Sequence, residues 1–248
     1  MARELRRLLI APERLAPLVA LTREEERYLT RVLRFGSGDR FAVINGQGGL
    51  WTAVLQEDGS AQLEQDLTAP LEQHQPPVPS LVLAAAVVKR DFELVVRMAV
   101  ELGVDRFIPL LCERTAVQGN LRAERWRSIA AEAAEQCERL WSPVIEEPMQ
   151  LAQLLALKDP GGQGLWMTTR QTELPLLGPV LAGLPLESLP SLWLACGPEG
   201  GWSPNEDEAA EAAGWKPVDL GPRILRSSTA CVSGLSGLAS ARAERCGV

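Results

Sequence analysis

The hydrophobic and polar positions of this chain follow two different rhythms. In the first seventy or so residues the apolar runs are short: 40–44, 50–55 and 61–67. They are separated by Asn45-Gly46-Gln47-Gly48-Gly49 and Glu57-Asp58-Gly59-Ser60, both strong turn signals. A short helix is expected over 24–33, and the strands with glycine-rich turns predict a small β-barrel. The stretch from Gln73 to Ser80 carries three prolines and suits neither helix nor strand. It divides a barrel at 1–73 from a second domain at 74–248.

Beyond that linker, strand and helix patterns alternate. Residues 81–88 are continuously apolar, as expected of a strand buried on both faces. Helical spacing follows over 92–102 and stops at Gly103, a natural C-cap. Strand 107–111, helix 123–139, a weaker strand near Val144, helix 151–157 and strands 165–168 and 192–196 come next. Helix 206–213, strand 217–220 and a last helix from about Ser228 complete the pattern. Such alternation predicts an α/β domain, a parallel sheet flanked by helices. The long helix at 123–139 reads as structural, with one solvated face.

Composition narrows the chemistry. Residues 1–10 carry Arg3, Arg6 and Arg7 without an apolar run, and the run at 81–88 is too short to span a bilayer. A cytoplasmic protein, with no membrane partner, is expected. Cys112, Cys137, Cys196, Cys231 and Cys246 are scattered, which fits reduced thiols rather than a disulfide framework or zinc site. His74, the only histidine, lies in the proline-rich stretch, so histidine-based triads and multi-histidine metal sites are excluded and no metal is expected. The formal charge of −7 speaks against nucleic acid, yet nine arginines against six acids fall within residues 1–40.

Two loops carry the candidate chemistry. Cys196-Gly197-Pro198-Glu199-Gly200-Gly201-Trp202-Ser203-Pro204 leaves a strand and enters a helix, with Ser203 as N-cap, Pro204 in the first turn and Glu206 at the capping-box position. Its glycines permit close backbone approach to a ligand, at the carboxyl end of a strand where α/β sheets bind ligands. It is neither a dinucleotide fingerprint nor a Walker A sequence. The second loop, Asp219-Leu220-Gly221-Pro222-Arg223-Ile224-Leu225-Arg226-Ser227-Ser228-Thr229-Ala230, also follows a strand and enters a helix. If the two loops face one another they make a pocket. Trp51 and Trp202 read as core tryptophans rather than base-stacking ones.

With these residues in view the chain resembles the SPOUT methyltransferases, and within them the ribosomal RNA small subunit methyltransferase E family. The resemblance rests on Gly197-Pro198-Glu199-Gly200-Gly201 and Leu220-Gly221-Pro222-Arg223-Ile224-Leu225-Arg226. Glu101-Leu102-Gly103-Val104-Asp105-Arg106, Glu113-Arg114-Thr115, Arg125-Trp126 and Glu132-Ala133-Ala134-Glu135-Gln136-Cys137 support it, as does Tyr28-Leu29-Thr30-Arg31-Val32-Leu33-Arg34 with Gly38-Asp39. Arg170 matches an arginine that the family often places after His-Pro, here Thr168-Thr169. Many members have Thr-Glu-Thr-Ala where this chain has Ser227-Ser228-Thr229-Ala230.

The resemblance implies a PUA-like RNA-binding barrel, then a SPOUT α/β domain with a trefoil knot. It also implies S-adenosyl-L-methionine as cofactor, a homodimer packed through the knot, and methylation of uridine N3 in small-subunit ribosomal RNA. Cofactor contacts are expected from Met167, Cys196, Gly197, Pro198, Glu199, Gly200, Gly201, Leu220, Gly221, Ile224, Leu225, Arg226, Thr229 and Ala230. With no histidine available, a nearby cation can favour the uridine anion; Arg226 is the first candidate and Arg223 the second. Glu199 is either a general base or a carboxylate bracing its own loop. Arg6, Arg7, Arg31 and Arg34 are expected to track RNA phosphates around an unpaired target base. The competing readings are another RNA acceptor and a non-catalytic RNA-binding assembly factor.

Overall fold

A computed structural model describes residues 5–117, 119, 121–159, 161–171 and 173–247. The chain forms two compact units, one of Met1–Pro76 with Ala134–Ser142, the other of Pro77–Ala133 with Pro143–Val248.

The first unit is built on a six-stranded sheet of β1 (Arg7–Leu9), β2 (Leu18–Val19), β3 (Arg40–Ile44), β4 (Gly49–Leu55), β5 (Ala61–Leu63) and β6 (Glu72–Gln73). Its order is β1-β3-β4-β5-β2, with β6 also paired to β4. The β3–β4 hairpin turns where Asn45 Oδ1 accepts from the amides of Gln47 and Gly49, with Gly46 and Gly48 at positive φ. Helix α1 (Arg23–Arg27) starts at a reciprocal Thr22–Glu25 capping box and continues as a π turn over Tyr28–Val32. Leu8, Ile10, Val19, Leu29, Phe41 and Trp51 form the heart of this core. Trp51 is buried and donates its indole N–H to the Asp66 carbonyl. The 134–142 segment belongs to this unit: Glu135 accepts from the Leu9 amide at 2.7 Å, and Glu138 pairs with Arg7 at 3.1 Å.

The second unit centres on β7 (Ser80–Ala86), β8 (Arg106–Leu111), β9 (Val144–Ile145), β10 (Met149–Gln150), β11 (Gln163–Met167), β12 (Ser191–Cys196) and β13 (Lys216–Val218). Every pairing is parallel, in the order β10-β8-β7-β12-β11-β13, with β9 also on β8. The buried β7 and β12 lie in the middle, which is why their sequences are almost wholly apolar. Between the strands run α2 (Phe92–Glu101), α3 (Ala123–Gln136), α4 (Leu151–Leu157), α5 (Leu177–Ala182), α6 (Pro204–Ala212) and, last, α7 (Ser227–Cys246). The expected α/β class, a parallel sheet flanked by helices, is the one observed.

The chain leaves β13 at the sheet edge, and α7 comes back to pack on α2, α5, β7 and β12. On the way, Asp219 exchanges backbone hydrogen bonds with Pro175 and Leu177. Arg242 near the end of α7 is buried and anchors the helix, its guanidinium reaching Asp105 and the carbonyls of Pro79 and Gly103.

The sequence places 134–142 in the second domain, whereas in the structure it belongs to the first unit; the other differences lie in short elements and ends. Strands β1, β2, β6 and β10 were not expected, because two or three residues carry no periodicity of their own. Helix α5 follows an unremarked Leu-Gly-Pro start. Helix α3 stops at Gln136 rather than Arg139, with Glu138 in the left-handed region.

Candidate active site

The carboxyl ends of β7, β11 and β12 open into a cleft of about 710 Å³. Residues 167–170 after β11, 196–202 after β12, and 219–220 with 223–228 after β13 line it, together with Val88, Arg90, Asp91, Arg114, Asp207 and Ala230. The two glycine-containing loops singled out in the sequence therefore meet around one cavity. Met167, Cys196, Gly197, Pro198, Glu199, Gly200, Gly201, Leu220, Arg223, Ile224, Leu225, Arg226 and Ala230 all line it. Gly221 and Thr229 are not among the lining residues: Gly221 supplies a φ of +123° to the turn, and Thr229 is exposed on α7.

The first loop is held from beneath. Trp202 is buried, stacks on Trp166 with ring centroids 3.7 Å apart, and donates its indole N–H to the Met167 carbonyl at 2.8 Å. Trp166 in turn donates to Asp207 at 2.8 Å. Gly197 lies against this platform so closely that a β-carbon there would stand 2.8 Å from the Trp202 ring. From the side, Arg114 donates to the carbonyls of Gly200 and Trp202 at 3.1 and 2.8 Å.

The capping box at the start of α6 is present, with Ser203 Oγ accepting from Glu206 N and Glu206 accepting from Ser203 N. Buried Glu206 also accepts from the Glu113 amide at 2.9 Å. Glu206 is thus the carboxylate that braces this loop, while Glu199 is exposed and accepts no hydrogen bond among the described residues. Arg114 and Glu206 stood in the sequence, one as a family motif and one as a cap, with no signal that they would converge on the glycine loop.

The second loop is tied to the first. Asp219 Oδ1 accepts from the Leu220 and Gly221 amides, and Ser227 Oγ donates to the Gly197 carbonyl at 2.7 Å. Cys196 and Cys231 lie buried beside Ser227. The hydrogen bond with Cys196, reinforced by burial, holds the Cys231 thiol well above its ordinary pKa. Burial, with Glu206 nearby, pushes the Cys112 thiol up to about 12.

Charge is distributed unevenly around the opening. Arg90, Arg170, Arg223 and Arg226 are exposed on the lining and form no ion pair among the described residues. Of the four acids, Asp207 and Asp219 are already engaged. The arginines expected to contact RNA sit in the first unit, where Arg6, Arg31 and Arg34 are exposed and Arg7 is committed to Glu138. Among the described residues there is no cluster of three or more His, Cys, Asp or Glu able to hold a metal ion, and no helix long and apolar enough to cross a membrane.

Comparison with known proteins gives concordant matches. Residues 74–239 match the family model of the RNA methyltransferase domain, and 21–65 that of the RNA methyltransferase PUA domain. The chain is 41% identical over 230 residues to the ribosomal RNA small subunit methyltransferase E of Synechocystis sp., covering 90% of this chain and 74% of that one. It is 30% identical to the Bacillus subtilis protein of the same name, covering 90% of each. Among solved structures, a Legionella pneumophila methyltransferase with bound cofactor SAM aligns with a TM-score of 0.82 at 27% identity, over 96% of this chain and 98% of that one. The ribosomal RNA small subunit methyltransferase E of Neisseria gonorrhoeae bound to S-adenosyl methionine aligns at 0.80 and 26%, with the same coverage. On the domain matches, the relatives and the fold together, the chain belongs to the ribosomal RNA small subunit methyltransferase E family.

Proposed function

We propose that this protein methylates N3 of a uridine in small-subunit ribosomal RNA, using S-adenosyl-L-methionine bound in the cleft after β11, β12 and β13. The observation that carries the reading is the convergence of the 196–202 and 219–228 loops on one cavity. Its lining suits such a cofactor in kind. Gly197, lacking a β-carbon, lets the loop rest directly on the Trp202 ring, the loop's backbone lines the cavity, and Met167 and Leu225 offer apolar surface. When bound, the cofactor supplies an electrophilic methyl group.

The protein's own part is positional and electrostatic. Backbone groups of 196–201 and 220–225 hold the cofactor, braced by Arg114, Glu206 and the Trp166–Trp202 stack. Arg226, exposed at the cleft, orients the uridine and stabilises negative charge developing on its carbonyl oxygens as N3 loses its proton. Arg223 assists from the same loop. Glu199, free of bonds to its own loop among the described residues, is the carboxylate we assign to receive the imide proton. Arg6, Arg31 and Arg34 of the first unit contribute RNA contacts, and a second copy of the chain packs at the knot region.

Arg226→Ala tests the assignment. Turnover on small-subunit ribosomal RNA should fall by about two to three orders of magnitude, the loss typical of removing one charge-stabilising donor. Cofactor affinity by calorimetry should stay close to wild type. Wild-type turnover in this variant would refute the role, and mass spectrometry of the product nucleoside would show whether N3 is the acceptor.

A further inference from the structure

The cleft carries two cations that the proposed chemistry does not use. Arg90 lies in the loop after β7 and Arg170 in the loop after β11; both are exposed, line the cavity, and make no ion pair among the described residues. In the sheet β12 runs between β7 and β11, so these two loops straddle the glycine loop. Two strand spacings separate their bases, roughly 10 Å, and each arginine stem can lean inward or outward from there. Each loop contains one residue in the left-handed region, Asp91 at the N-cap of α2 with φ +64° and Arg170, three residues past β11, with φ +63°. Residues held in that region are found where a surrounding structure directs a group to a defined place.

The charge balance at the opening runs against that of the chain. The whole protein has a formal charge of −7. On the cleft lining, Asp207 is bonded to Trp166, Asp219 to its own loop amides, and Arg114 to two carbonyls. The uncommitted groups are Arg90, Arg170, Arg223 and Arg226 against Asp91 and Glu199, a local excess of cations. A positive opening on an acidic protein concentrates anions at that opening.

A base reaches a recessed site only by leaving its stack, and its backbone then lies across the opening with one phosphate on either side. We propose that Arg90 and Arg170 bind the two phosphates flanking the target nucleotide, one on each side of the glycine loop. This rests on the reading of the cleft as the site of RNA methylation. It makes the second unit itself an RNA-binding surface and separates two kinds of arginine at one site. Arg226 acts on the base, whereas Arg90 and Arg170 hold the strand in register and carry no base preference.

The test is equilibrium binding of the full-length chain to a fluorescent, uridine-containing single-stranded oligoribonucleotide across a salt series. Arg90→Ala with Arg170→Ala should weaken binding at least tenfold. The slope of log affinity against log salt should become shallower by about 1.4, the share of two phosphate contacts on a single strand. The paired lysine replacements, which keep the charge, should restore most of both; they also carry the test if the alanine protein does not fold. S-adenosyl-L-methionine affinity should stay within twofold of wild type. An unchanged salt slope, or a loss confined to cofactor affinity, overturns the proposal. A wild-type chain that binds this RNA with the expected slope and the expected arginine dependence but transfers no methyl group would instead overturn the functional reading and leave the phosphate sites standing.

Discussion

Replacing Gly197 with alanine tests whether the cleft floor is set by the tryptophan platform. The added β-carbon would lie 2.8, 3.0 and 3.1 Å from three atoms of the Trp202 ring, whereas carbon atoms pack best at about 3.5–4.0 Å. The indole cannot yield easily. Trp166 is stacked on it, and its N–H is fixed on the Met167 carbonyl at 2.8 Å. Overpacking of this kind costs about 1–3 kcal/mol, and a buried N–H pulled off its acceptor adds about 1–3 kcal/mol. A total of about 2–6 kcal/mol would lower the melting temperature by about 4–24 °C for a protein of this size. Gly201→Ala is the matched control, since a β-carbon there meets nothing within 4 Å and only the φ of +71° is strained, at about 1–2 kcal/mol. Thermal melts followed by far-UV circular dichroism give the stability order, and near-UV spectra report the tryptophan packing. If Gly197→Ala melted at or above Gly201→Ala, with the aromatic spectrum unchanged, the reasoning would be wrong.

Three further outcomes follow from the packing. Arg242→Ala should cost about 3–5 kcal/mol in urea denaturation by removing the guanidinium that balances the largely buried Asp105 charge, whereas Arg242→Met with Asp105→Leu should cost less than half as much; equal losses would deny that the uncompensated charge matters. With thiol reagent at pH 8, Cys137 and Cys246, which are partly exposed, should label, while Cys112 and Cys231, both buried with raised pKa values, should stay unlabelled in the folded protein; peptide mapping reads the pattern, and labelled Cys231 would contradict it. Burial alone would raise the Glu25 carboxyl, but hydrogen bonds from Arg14 and Thr22 bring it below its ordinary value. Its contribution is therefore complete above the ordinary glutamate pKa and is lost as pH falls through the lowered one, so Glu25→Gln should flatten the acid side of the stability profile, and an unchanged profile would count against this pair.

Much of the architecture could be read from the amino acids because the signals are local. The apolar runs that became β7 and β12 are buried on both faces, and no other arrangement accommodates them so well. The capping box Ser203-x-x-Glu206 marks a helix start through hydrogen bonds spanning three residues. The glycine loop and its successor announced a ligand site through residue types alone. What chain order could not supply was convergence. Arg114 lies 86 residues from Gly200, Glu113 lies 93 from Glu206, and Ser227 lies 30 from Gly197, yet these pairs hold the cleft in shape. Likewise the 134–142 segment belongs with the first unit through Glu135 and Glu138, and no pattern along the chain marks them as partners of Leu9 and Arg7. Local propensity acts over a few residues, whereas these contacts depend on strand order, which is settled only when the whole apolar core is buried at once.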